Sequence, residues 1–210
     1  MVQIFSDLIS AISQIIVFTL IPFIFYLFRK DKKISFSKYI GFTKPTRTSI
    51  VYSIGVALLI LFIGIIGIFL SEGFKEAVHA PSSVTGKFMT MGLNPITFVS
   101  ILIMALLKTS LSEEIFFRGF IGKQLINKLG FKRGNLLQGI IFGLVHFFLL
   151  LFLIKSSIFT LIIIFIFTSF AGWMIGYIKE KYANGSIIPG WIAHGIGNTI
   201  SYLVIAFVAL

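Results

Sequence analysis

Residues 95–124 read PITFVSILIMALLKTSLSEEIFFRGFIGKQ. This stretch is apolar enough to sit in lipid and long enough to cross it, since a hydrocarbon core of roughly 30 Å takes about 20 residues. It is interrupted only by Lys108, Thr109, Ser110 and the pair Glu113-Glu114. It reads as one long membrane helix or as a helix broken near Ser110. Working outward, the same pattern recurs at Ile9–Phe28, Ser49–Leu70, Asn135–Ile154, Ser157–Ile178 and Ile187–Ala209. Pro22 is expected to kink the first of these, which membrane helices tolerate. The sequence thus predicts an all-α polytopic transmembrane helix bundle of six spans, forming a single integral membrane domain over residues 1–210.

Composition agrees. Hydrophobic residues make up 57% of the chain and charged residues 12%, with a mean hydropathy of +1.03. A soluble domain is about 25% charged, and a chain this size could not hide so much apolar surface in one core. There is no Cys, so disulfides and thiolate metal sites are excluded. The net charge of +11 invites a nucleic-acid partner. The basic residues lie in loops between apolar runs, however, so the expected partners are membrane lipids.

The loops give an orientation. The 29–47 loop carries Arg29, Lys30, Lys32, Lys33, Lys38, Lys44 and Arg47 against Asp31. The 71–92 loop is balanced, with Glu72 and Glu76 against Lys75 and Lys87. The 123–134 loop is basic through Lys123, Lys128, Lys132 and Arg133. The 155–156 turn holds Lys155, and the 179–186 loop holds Lys179 and Lys181 against Glu180. Under the positive-inside rule, loops 29–47, 123–134 and 179–186 are cytoplasmic and both termini lie outside. With no basic residue before the first run and no small-residue cleavage site, a signal peptide is not expected. The expected location is a cell membrane, as a multi-pass protein of the bacterial plasma membrane.

The informative residues are the polar ones inside the spans. A charge at the centre of a membrane helix costs about 2.5–3.5 kcal/mol on insertion scales, so such residues usually face a bundle interior and usually work. Glu113 and Glu114 lie about ten residues before the basic loop opening at Lys123. His146 lies about eleven residues after Asn135, and His194 and Asn198 lie roughly eight and twelve after Ser186. At about 1.5 Å per residue, all reach ~12–18 Å from the cytoplasmic face. Three helices thus present polar groups at one level. Glu114 and Arg118 share a face and can pair. Glu113 is rotated by about 100° from Glu114, so the two acids need not share a job. Gly139 and Gly143, and Gly190, Gly195 and Gly197, allow the close helix approach that would bring the imidazoles toward the glutamates.

Carboxylate beside imidazole suits water activation, and Asn amide and His N–H groups suit an oxyanion. The same set could instead ligate a zinc ion carrying the nucleophilic water, with Glu113, His146 and His194 as ligands. Ser110 and Ser112 lie near the glutamates without a pattern that marks either as activated. The bland alternatives are a buried ion network at Glu113, Glu114 and Arg118, and histidines that bond backbone carbonyls between helices. Phe142 is expected to pack, and Trp173 and Trp191 to anchor at the interface or in lipid. Lys108 is expected to snorkel or to mark a helix break. His79 receives no role.

Glu113-Glu114-x-x-x-Arg118, Phe142-x-x-x-His146 and His194-x-x-x-Asn198, in that order, resemble the three motifs of the CPBP (Abi) intramembrane proteases. The resemblance covers about residues 95–205. That family includes eukaryotic CAAX prenyl endopeptidases and bacterial bacteriocin-processing and self-immunity proteins. The resemblance implies an intramembrane endopeptidase acting on a membrane-associated peptide or protein near the cytoplasmic face. It implies Glu113 and His146 as water activators, His194 and Asn198 as the oxyanion site, and Glu114, Arg118 and Phe142 as support. Glu114 is also a candidate catalytic group. Either a zinc-dependent or a metal-free glutamate mechanism is compatible with it. The rival readings are a non-catalytic bacteriocin-immunity or peptide-binding membrane protein, and a small proton-coupled carrier.

Overall fold

The computed structural model describes residues 2–29, 33–154 and 156–208. Lys30, Asp31, Lys32 and Lys155, counted above in the loop charges, and Ala209 at the end of the sixth run lie outside the described residues. Among the described residues all regular structure is helical. The helices are α1 (Val2–Leu27), α2 (Phe36–Tyr39), α3 (Arg47–Leu70), α4 (Glu72–His79), α5 (Val84–Met91) and α6 (Pro95–Leu102). Two π-helical segments follow, Ile103–Leu111 and Glu114–Gly122, then α7 (Lys123–Leu153), α8 (Ile158–Lys181) and α9 (Ile188–Phe207).

Local sequence explains the boundaries. Thr46 caps α3 through the Ser49 N–H, Ser157 caps α8 through the Thr160 N–H, and Asn94 caps α6 with Pro95 in its first turn. Helix α1 starts earlier than the apolar run suggests. It takes in the buried Asp7, whose Oδ1 accepts from Lys87 Nζ of α5 at 2.8 Å. The balanced 71–92 segment forms α4 and α5 rather than an open loop.

Among the described residues, four helical stretches are long and apolar enough to cross a membrane: Val2–Leu27, Arg47–Leu70, Pro95–Leu153 and Ile158–Lys181. The third has 59 residues. Straight, it would run roughly 90 Å, about three times a hydrocarbon core. It turns back instead at Gly130, where φ is +75°, a conformation glycine adopts without steric cost. A Cβ on Gly122 would lie 3.4 Å from Gln138 Cγ, so the two arms run side by side. Many large apolar side chains, among them Phe5, Phe62, Phe152 and Phe159, face outward, as lipid solvation allows.

Helix α9 is central. Helix α3 and the first π segment flank it, α1 packs on that π segment, and α7 packs along α8. Buried amides lock the α7–α8 pair: Asn135 Nδ2 donates to Trp173 O at 3.0 Å and Gln138 Nε2 to Gly172 O at 2.8 Å. Gly139 and Gly143 serve the same contact. A Cβ on Gly139 would lie 2.9 Å from Ser169 O, and one on Gly143 2.7 Å from Phe165 O. The glycine pair therefore seats α7 on α8, not on the helices that carry the glutamates and His194.

Candidate active site

The interrupted stretch at 103–122 does not break. It stays helical and widens to π geometry, which leaves backbone carbonyls poorly matched to the next turn. In lipid each such carbonyl needs an internal donor, and the polar residues supply them. Thr109 Oγ1 donates to Met104 O at 2.9 Å and Ala105 O at 3.1 Å, and Ser110 Oγ to Ala105 O at 2.5 Å. Ser112 Oγ bonds Lys108 O, which also accepts from Gln14 Nε2 of α1 at 2.8 Å. Trp191 Nε1 donates to Leu106 O at 2.7 Å. Trp191 is thus a bond from α9 to the π segment rather than a lipid anchor.

This widened helix presents the two glutamates differently. Glu114 is wholly buried, and its Oε1 stands 3.2 Å from Nη1 of the buried Arg118, one turn on. The two are close as charges but off the hydrogen-bond direction, for neither group gains a bond from the approach. Arg118 also lies over the Phe142 ring, 4.1 Å from its centroid. Glu113 points the other way, into a cavity. His194 stands between the acids. Its Nε2 is 3.8 Å from Glu113 Oε2 and its Nδ1 is 3.4 Å from Glu114 Oε1. Gly190, one turn earlier on α9, is needed for this approach, because a Cβ there would collide with Glu114 Oε2.

Phe142 is the hub of the site as well as packing. Its ring centroid lies 4.5 Å from that of His146 and 6.1 Å from that of His194. His146 Nδ1 is 2.8 Å from Phe142 O, within its own helix. A carbonyl only accepts, so Nδ1 carries a proton, and in the neutral form of the ring Nε2 keeps a lone pair. Asn198 Nδ2 donates to Thr109 Oγ1 at 3.0 Å, leaving its second N–H for another acceptor.

Glu113, His146, His194 and Asn198 all line one cavity of about 400 Å3. The rest of its wall is mostly apolar, from α3, α4, α7, α8 and α9, including Ile60, Phe74, Leu149, Ile164 and Ile205. The structure therefore gathers the four cavity-lining candidates, with Glu114 and Arg118 set directly behind. Two further residues belong with them. Thr109 and Tyr202 line the same cavity. Both lie four residues from a motif position, Thr109 before Glu113 and Tyr202 after Asn198, and that helical spacing was the available signal. A zinc ion would take nitrogen and oxygen ligands at about 2.0–2.2 Å. Among the described residues no group of three or more His, Asp or Glu is gathered closely enough to hold a metal.

Membrane-length helices enclosing a cluster of Glu and His side chains at the wall of an apolar cavity define a multi-pass membrane protein. Residues 95–200 match the family model of the Type II CAAX prenyl endopeptidase Rce1-like proteins, and the chain belongs to that family, within the CPBP proteases. No curated protein and no solved structure matches it.

Proposed function

We propose that this chain is an intramembrane endopeptidase of a bacterial plasma membrane. It would cut a peptide bond of a membrane-associated peptide or protein near the cytoplasmic face. The observation that carries the proposal is the convergence of Glu113, His146, His194 and Asn198 on one largely apolar cavity. We count six passes, with residues 95–153 as a helical hairpin and α9 as the last, and both termini outside.

In this reading a water sits between Glu113 and His146. Glu113 takes its proton as the oxygen bonds to the scissile carbonyl carbon, while the His146 Nε2 lone pair holds the second hydrogen. The developing oxyanion accepts from His194 and from the free Asn198 N–H. As the C–N bond breaks, Glu113 returns the proton to the departing nitrogen. Glu114 and Arg118 hold His194 and Phe142 in place and touch no substrate. The steps use the chain's own groups. The apolar wall suits a substrate with a lipid-like or strongly hydrophobic part, and a prenylated Cys-terminal peptide is one such class.

The test uses wild-type and Glu113→Gln chains in lipid vesicles, each with a farnesylated peptide and an unprenylated membrane-anchored peptide, products being read by mass spectrometry. The wild type should cut at least one. The variant should be slower by about 10²-fold or more, the scale of a lost general base. Undiminished cleavage by Glu113→Gln, or none by the wild type on either peptide, overturns the proposal. The second result would favour a peptide-binding role for the same cavity.

A further inference from the structure

A second cavity lies among α2, the start of α7 and the end of α8. It is about 430 Å3 and shares no residue with the active-site cavity. Lys38, Lys123 and Lys179 face it, with Asn127 and Asn184 as neutral donors and Glu180 as its acid. Lys179 is buried and pairs with Glu180. Lys123 Nζ donates to Tyr39 O at 2.6 Å and lies 5.2 Å from the centroid of the Tyr39 ring. Arg29 lies 5.0 Å from the same centroid. Burial first, and then the charges of Lys179 and Arg29, disfavour the charged form of Lys123, with Glu180 acting in the opposite sense. Among the described residues, three lysines therefore line one pocket with one carboxylate, and Arg29 lies close by over the Tyr39 ring.

The pocket walls are held in place without a ligand. Ile187 N–H donates to Gly41 O at 2.9 Å, Ser186 Oγ to Thr43 O at 2.6 Å, and Thr46 Oγ1 to Tyr182 O at 2.6 Å. These bonds tie the segment after α2 to the turn after α8. Exposed Phe28, Phe42 and Tyr182 border the same end of the bundle, as aromatic side chains do at a headgroup level. Like charges held close in a partly desolvated pocket repel strongly, and an anion placed among them relieves that repulsion. Basic pockets of this kind between membrane helices suit anionic headgroups.

We propose that this pocket binds a phosphate-bearing anion, through Lys38 and Lys123 with Arg29 and Lys179 behind them. The headgroup of an anionic phospholipid and free inorganic phosphate offer the same chemistry. The site stands whether or not the chain cuts peptides.

The full chain is purified in a neutral detergent. Its thermal unfolding is followed against short-chain phosphatidylglycerol, short-chain phosphatidylcholine and inorganic phosphate. Phosphatidylglycerol should raise the midpoint in a saturable way that phosphatidylcholine does not. A matching rise with inorganic phosphate identifies phosphate itself as the ligand, and a rise with the lipid alone identifies the headgroup. Lys123→Gln should weaken the fitted affinity by about tenfold or more, as loss of a charged hydrogen bond does. Because Lys123 also bonds Tyr39, the exposed Lys38→Gln provides a second variant that leaves that bond intact, and it should weaken binding too. Lys75→Gln, far along the chain in α4, should bind as the wild type. Equal shifts with the two lipids and none with phosphate, or full affinity in both Lys38→Gln and Lys123→Gln, overturn the proposal.

Discussion

Glu113 and Glu114 are neighbours in sequence with opposite surroundings. Glu114 is shut away with Arg118, and Glu113 edges the cavity. Substitution should separate them. Glu114→Ala leaves Arg118 buried without its charge partner, which costs about 3–5 kcal/mol. The variant should unfold at clearly lower denaturant or temperature than the wild type. Glu113→Gln should leave the unfolding midpoint within about 1 kcal/mol of wild type while cleavage fails, because a buried partner is not stranded. Gly190→Ala should behave like Glu114→Ala in milder form. Its methyl meets a carboxylate that Arg118 holds in place and Ile175 Cγ2 at 2.7 Å, so roughly 1–3 kcal/mol of stability goes and cleavage falls with it.

At the scale of elements, the first π segment is the feature that residue types alone do not reveal. The run of Lys108, Thr109, Ser110 and Ser112 signals that something interrupts the helix, but a hydroxyl can break a helix or repair it. Which one happens depends on donors from elsewhere, Gln14 on α1 and Trp191 on α9, that only the packed fold supplies. Trp191→Phe keeps the ring and removes the bond to Leu106 O. It should cost about 1 kcal/mol in unfolding, whereas a residue serving only as a lipid anchor would show no loss. The glycines tell a similar story. The spacing of Gly139 and Gly143 announces a close helix contact, yet nothing in the sequence says that α8 is the partner. By contrast the motif residues Glu113, His146, His194 and Asn198 were legible, because each is a polar group that lipid would not tolerate without a reason. The apolar runs were legible as helices for the same cause, with α3, α8 and α9 starting within two residues of the expected places. Asp7 was not, since its offset by Lys87 comes from a helix 80 positions away in sequence.

For the whole molecule, the proposed six-pass arrangement predicts which loops share a side. The chain has no Cys, so a single introduced thiol is the only one to label. In oriented vesicles, Lys38→Cys and Lys128→Cys should react with an impermeant reagent from one side, and Lys75→Cys from the other. Labelling of all three from one side would contradict six passes. Metal removal tests the centre as a unit. With no tight ligand group among the described residues, dialysis against a strong chelator should leave cleavage unchanged, and a loss restored by zinc would show that the donors close around an ion.

The order of these pieces along the chain has a consequence for biogenesis. Glu114 and Arg118 are one helical turn apart, so they can enter the bilayer already neutralising each other, before any later helix exists. His194 and Asn198 arrive about eighty residues afterwards, on α9. Until that helix is inserted the glutamates face no imidazole from it, and a chain without α9 holds the two opposite charges side by side but lacks His194 and Asn198. For the proposed protease this order would act as a safety catch during synthesis: charge is stowed first, and competence would come only with α9.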